Sequence, residues 1–114
     1  MKTLICGSRN ITDCGLVETA VTRSGFVVTS VISGGARGVD RLAEEYAKAH
    51  GLPITVMVPH WKQLGRGAGV VRNREMIKES SQVIAIWDGY SKGTGNTIET
   101  AQKLGRRVYV HEIS

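Results

Sequence analysis

The sequence predicts an α/β domain of three layers, a central, mostly parallel five-stranded sheet with helices on both faces. Two observations lead there. Five short apolar, β-branched runs alternate with helix-length amphipathic segments along the 114 residues, the order that builds βαβ units and a parallel sheet. Glycine-rich turns follow three of those runs: Gly7-Ser8-Arg9, Ser33-Gly34-Gly35-Ala36-Arg37-Gly38-Val39-Asp40, and Lys92-Gly93-Thr94-Gly95-Asn96-Thr97. The length fits one domain with one core, residues 1–114.

Residues 3–6, Thr-Leu-Ile-Cys, read as the first strand. Thr12 or Asp13 caps a helix running to about Ser24, with Leu16, Val17, Ala20 and Val21 as its buried stripe. Gly25 stops it. Residues 27–32, Val-Val-Thr-Ser-Val-Ile, form the second strand. The Gly34–Gly38 turn feeds a helix from about Val39 to His50, which buries Leu42, Ala43, Tyr46 and Ala47 at helical spacing. Gly51 and Pro53 then end that helix. The third strand covers 54–58, and after a long connection from Pro59 a helix runs from about Val70 to Ser80. Residues 83–87, Val-Ile-Ala-Ile-Trp, are the most apolar run and so a central strand. A last helix spans about Asn96 to Leu104, Gly105 ends it, and Val108–Val110 form the fifth strand.

Composition bounds the function. Hydrophobic residues at 41% and charged residues at 22% describe a globular chain rather than a disordered one. No apolar run approaches membrane-spanning length, and the start enters a strand directly, so neither a membrane partner nor a secretory leader is expected. Cys6 and Cys14 lack the spacing of a disulfide framework, which suits reduced thiols in a cytoplasmic protein. His50, His60 and His111 lack ligand spacing, so no metal and no cofactor is expected. The formal charge is +5, and the stretch from His60 to Arg74 holds Lys62, Arg66, Arg72 and Arg74 without an acid. Such a stretch faces an anion, either a nucleotide or a nucleic-acid backbone.

In a sheet of this kind ligands sit at the carboxyl ends of the strands, near the point where strand order reverses. All three glycine turns fall there, as do Pro59-His60-Trp61 and Trp87-Asp88. Glycine lets backbone N–H groups approach an anion, and a following helix adds its dipole. The candidate ligand contacts are therefore Gly7, Ser8 and Arg9; Ser33, Gly34, Gly35, Ala36, Arg37, Gly38 and Asp40; and Gly93, Thr94 and Thr97. Arg9 offers a fork for phosphate or carboxylate. Arg37 serves the ligand or pairs with Asp40, and Asp40 either favours its helix dipole or holds a ribose hydroxyl. Trp61 stacks on a base or seals its loop. Arg72 and Asn73 open a helix toward the same crevice. Arg72 and Arg74 cannot face the same way, so one is left for a partner or solvent. Glu99 and Asp88 are the candidate bases if the protein hydrolyses its ligand. There is neither a Rossmann dinucleotide fingerprint nor a Walker A lysine.

The combination of Gly7-Ser8-Arg9, Ser33 to Asp40, Pro59-His60-Trp61, Ala68-Gly69 with Arg72-Asn73-Arg74-Glu75-Met76, Trp87-Asp88-Gly89 and Ser91-Lys92-Gly93-Thr94 resembles the YspA-type SLOG family. These are small bacterial and phage proteins in the superfamily of the LOG proteins and the DNA-processing protein DprA. The resemblance covers roughly Thr3 to Val110 and implies a Rossmann-like fold and a nucleotide-derived ligand. LOG phosphoribohydrolases carry an arginine four residues before a methionine, which Arg72 and Met76 match. They also carry a Pro-Gly-Gly-x-Gly-Thr-x-x-Glu motif with a catalytic glutamate. Alignment on Gly93-Thr94 puts Thr97 in that place, with Glu99 displaced by two residues.

The expected function is binding or sensing of a nucleotide or nucleotide-derived ligand. Two alternatives are an N-glycosidase acting on a nucleotide, and a single-stranded nucleic-acid binder using Lys62, Arg66 and Arg74. A homodimer or higher homo-oligomer is expected on base rates, with Ile77, Ile98 and Ala101 as apolar positions for the contact.

Overall fold

The computed structural model describes residues 2–13, 15–58 and 67–113. The strands are β1 (Lys2–Gly7), β2 (Ser30–Ser33), β3 (Ile54–Val56), β4 (Gln82–Trp87) and β5 (Arg107–Glu112). The helices between them are α1 (Gly15–Ser24), α2 (Val39–Ala49), α3 (Ala68–Glu79) and α4 (Lys92–Lys103). The sheet has the order β3-β2-β1-β4-β5 with every pair parallel. The order reverses between β1 and β4, which places the switch point at the ends of those two strands. Strand β1 takes the middle of the sheet and β4 lies beside it.

Alternation along the inner strands divides the core into two layers. Ile5, Val31, Ile84 and Ile86 pack with Val17 and Ala20 of α1 and Val39, Leu42, Ala43 and Ala47 of α2. Leu4, Cys6, Ile32, Val83 and Ala85 point to the other face, against Met76 and Ile77 of α3 and Ile98 and Ala101 of α4. A strand covered on both faces reads as a continuous apolar run, and that is why β1 and β4 carry the plainest signal. Each buried Ile or Leu contributes about 1.5–3 kcal/mol relative to exposure. At the far end of the sheet, the buried Gln82 amide donates to Thr3 Oγ1 at 2.8 Å and to the Val27 carbonyl at 2.9 Å. No helix among the described residues is long and apolar enough to cross a membrane.

Several boundaries differ from the sequence reading. Strand β2 starts at Ser30 rather than Val27, and Val27 stands exposed, because β-branched residues favour extended backbone whether or not a neighbouring strand pairs with them. Strand β3 stops at Val56. Helix α4 begins at Lys92, not Asn96, so Gly93-Thr94-Gly95 is its first turn and not a loop before it. The apolar positions assigned to self-association, Ile77, Ile98 and Ala101, lie inside the core against the sheet. They are not available to a second copy. Asp13, one of the two expected caps, does accept the Gly15 N–H at 3.0 Å through Oδ1.

Candidate functional site

An open crevice of about 1070 Å³ lies over the carboxyl ends of β1, β2 and β4. It gathers Gly7, Ser8 and Arg9; Gly34, Gly35, Ala36, Arg37 and Asp40; Arg72 and Asn73; and Gly93, Thr94 and Thr97. Residues from four segments distant in sequence therefore meet at the switch point. Two expected contacts among the described residues stand apart. Ser33 is buried below the turn, where its hydroxyl meets Glu44 Oε2 at 2.6 Å and accepts the Gly35 N–H at 3.1 Å. Gly38 packs under the β1 turn, and Trp61 lies outside the described residues. The crevice also includes Cys6, Asn10 and Val58, which sequence reasoning did not single out, and Gly69, Met76 and Ser91, which carried the family resemblance without being assigned to the ligand.

The β2–α2 turn is rigidly built, and much of its hydrogen-bonding capacity is used internally. The Gly35 N–H goes to Ser33, and the Ala36 N–H goes to Asp40 Oδ2 at 3.3 Å. The Val39 N–H goes to the Ser8 carbonyl at 3.3 Å. Arg72 reaches across from α3 and donates to the Gly34 carbonyl at 2.6 Å and the Met57 carbonyl at 3.3 Å. Asn73 steadies it, accepting the Arg72 Nε–H at 2.9 Å. Gly34 is required here by space: a Cβ would fall 2.6 Å from Arg72 Nη1 and 2.8 Å from Asp40 Oδ2. Asp40 is the one carboxylate among the described residues that lines the crevice. Burial raises its pKa, against the opposing pull of the Ala36 N–H, Arg72 and Arg9. Burial lowers that of Arg72 in turn, with Asp40 working the other way. Cys6 is buried at the floor of the crevice, and burial holds its thiol far above the usual range, in the protonated form.

The β4–α4 junction is built the opposite way, with donors left open. Trp87 donates its indole N–H to the Ser91 carbonyl at 3.0 Å. Asp88 Oδ1 accepts the N–H groups of Tyr90 and Ser91, both at 2.8 Å, and Oδ2 lies 3.0 Å from the Ser91 hydroxyl. The Ser91 hydroxyl also lies 2.9 Å from that of Ser8. Ser91 occupies the N-cap position of α4, yet its side chain makes no capping bond. Serine at that position ordinarily satisfies the N–H of the second or third helical residue. Here Gly95 N–H bonds to the Ser91 carbonyl, and the N–H groups of Gly93 and Thr94 have no partner among the described residues. Thr97 turns its hydroxyl back to the Gly93 carbonyl at 3.0 Å.

Charge at the mouth is one-sided. Arg9 and Arg37 are exposed, line the crevice and have no acidic partner among the described residues. With Arg72 they set three guanidinium groups against the single Asp40 carboxylate. Arg74 is exposed on α3 and does not line the crevice. Neither candidate base lines it either. Asp88 is occupied by the turn, and the N–H groups of Ser91 and Tyr90 hold its pKa below the ordinary value. Glu99 lies in a separate shallow depression with Trp87, Tyr90, Lys92 and Gly95. Its displacement by two residues in sequence turns it to another side of α4, and Thr97 faces the crevice in its stead.

The profile of the YspA, cpYpsA-related SLOG family matches residues 1–64, a span that holds both the β1 turn and the whole β2–α2 turn. The chain is 35% identical to the Gene 61 protein of Mycobacterium phage D29, across 91% of this chain and 90% of that one. No solved structure gave a significant match. The turns that meet in the crevice are thus carried on a recognisable family framework, and the chain belongs to the YspA, cpYpsA-related SLOG family.

Proposed function

We propose that the protein binds a phosphate-bearing nucleotide or nucleotide derivative in the crevice, with its phosphate at the first turn of α4. The observation that carries this reading is the uncapped start of that helix. The Gly93 and Thr94 N–H groups are left open beside Ser8 and the crevice-lining Arg9. Unpaired N–H groups, a helix dipole and an arginine fork together favour an anion at one place. Family membership supports a nucleotide as the source of that anion. Arg37 and Arg72 supply charge further along the crevice, and Asp40 is the acceptor available to a ligand hydroxyl there.

Binding without turnover is the form the geometry favours. A glycosidase needs a carboxylate beside the ribose carbon; Asp88 and Glu99 lie outside the crevice, and Asp40, which lines it, is engaged by the Ala36 N–H and is held toward its protonated form by burial. The test is thermal unfolding of the purified protein with inorganic phosphate, AMP, ADP-ribose, NAD and the matching nucleosides, with products read by mass spectrometry. Nucleotides are expected to raise Tm, nucleosides much less, and the compounds to remain intact. Arg9→Ala is expected to leave the unfolding free energy within about 0.5 kcal/mol of the parent and weaken nucleotide binding about tenfold. Equal shifts from nucleosides, or no shift from any compound, would overturn the assignment. Binding only to single-stranded oligonucleotides, with steep salt dependence, would move the function to nucleic acid.

A further inference from the structure

We infer that Ser8 meets the bound molecule as a hydrogen-bond acceptor, its polarity set by Asp88 through Ser91, so that a ligand hydroxyl and not a phosphoryl oxygen lies against the end of β1. The inference rests on the nucleotide reading above and adds what that molecule must present at one position.

The argument is a count of protons. A carboxylate only accepts, and a serine hydroxyl has one proton to give. Asp88 Oδ2 sits 3.0 Å from Ser91 Oγ, so the Ser91 proton lies on that line. The two serine oxygens are 2.9 Å apart and the Ser8 hydroxyl also interacts with Asp88 directly, so the Ser8 proton is spent on Ser91 or on the carboxylate. Ser8 keeps only lone pairs for any further partner. It lines the crevice, is 3% exposed, and its backbone is already engaged: its N–H with the Ile86 carbonyl, its carbonyl with the Val39 N–H. A phosphoryl oxygen at that spot would oppose lone pair to lone pair, whereas a hydroxyl, as on a ribose, completes the chain. Asp88 stays ionised at neutral pH because the N–H groups of Ser91 and Tyr90 stabilise its charge, so the direction of the chain is fixed. The same chain withholds Ser91 from capping α4. One relay therefore assigns the phosphate to the helix turn and the hydroxyl to Ser8.

Asp88→Asn tests this with little change of shape. Its retained oxygen still accepts the Tyr90 and Ser91 N–H groups, while the new NH₂ donates to Ser91, which reverses both hydroxyls and makes Ser8 a donor. Ser91→Ala is the second variant, and it leaves Ser8 only its direct interaction with Asp88. Binding of AMP, 2′-deoxy-AMP, 3′-deoxy-AMP and inorganic phosphate is measured by calorimetry on the full chain. The parent is expected to bind AMP at least about tenfold more tightly than one of the two deoxy analogues. In Asp88→Asn that ratio is expected to fall to about one to twofold, and in Ser91→Ala to fall only part of the way, whatever happens to Tm. A merely structural Asp88 would weaken all four ligands together and leave the ratio unchanged, which overturns the inference. Equal binding of AMP and both deoxy analogues by the parent also overturns it while leaving the nucleotide reading intact. No binding of any of the four removes both.

Discussion

Asp40 and Asp88 flank the same crevice region and their ionisation is displaced in opposite directions, which gives each a distinct signature in pH. Burial raises the Asp40 pKa. A raised acid favours the fold most where it is protonated, below its ordinary value of 3.8, and that contribution is lost as pH rises through the folded value. Asp88 is the reverse: backbone N–H groups lower its pKa. Its contribution is present above 3.8 and is lost as pH falls through its lower folded value. Tm measured from about pH 2 to 8 should therefore separate the two. Asp40→Asn is expected to flatten the decline on the neutral side, and Asp88→Asn to lower Tm at neutral pH and flatten the fall in acid. Parallel pH profiles for the two variants would contradict the environments described for them. Sequence alone reached these residues but not their roles. Asp88 at a strand end reads from sequence as a candidate base, and its hydrogen bonds with Tyr90 and Ser91 show that it holds the turn instead.

At the level of the elements, the turns differ in why they need glycine. Gly38 has φ +79, and a Cβ there would come within 2.5 Å of Arg9 Cα and of the Ser8 and Arg9 carbonyl oxygens. These are backbone atoms and cannot step aside. Gly38 thus locks the β2–α2 turn onto the β1 turn, and Gly38→Ala is expected to destabilise by about 2–4 kcal/mol. Gly93, in the first turn of α4, has open space where a Cβ would stand. Gly93→Ala is expected to stabilise by about 0.4–1 kcal/mol while reducing the Tm shift given by phosphate, because the methyl group crowds the open N–H groups. Denaturant titration of both variants checks the pair, and a destabilised Gly93→Ala would mean that this glycine serves the fold. The glycine clusters were visible in the sequence as tight turns at the strand ends. The division between a glycine that packs against backbone, as Gly38 does, and one that opens onto the crevice, as Gly93 does, was not, since both are the same residue in the same kind of turn. The position of the α4 start was hidden for a related reason. Glycine disfavours helix, so Lys92-Gly93-Thr94-Gly95 reads as loop until Trp87 and Asp88 are seen to hold Ser91 in the capping position.

For the molecule as a whole, β1 and β4 join two core layers through alternate residues of the same strands. Leu4 and Ile5, or Val83 and Ile84, are chain neighbours that belong to opposite faces. This part of the architecture was the most legible, because strands covered on both sides leave continuous apolar runs and the helices between them keep their period. The edges were least legible: β2 and β3 are short, and Val27 and Val58 extend the pattern beyond any pairing. Shared strands also mean that neither layer can open alone, since removing one set of helices exposes the sheet that supports the other. Ile84→Ala, in the layer under α1 and α2, and Ile98→Ala, on the buried face of α4 in the other layer, are each expected to cost about 2–5 kcal/mol. Both should keep a single cooperative transition with the parent's denaturant slope. Circular dichroism follows the helices of both layers, and tryptophan fluorescence includes Trp87 at the crevice end of β4. If the two signals stay coincident in each variant, the layers and the crevice between them form one folding unit. Separation of the signals in Ile98→Ala alone would show that α4, and with it that end of the crevice, has a stability of its own.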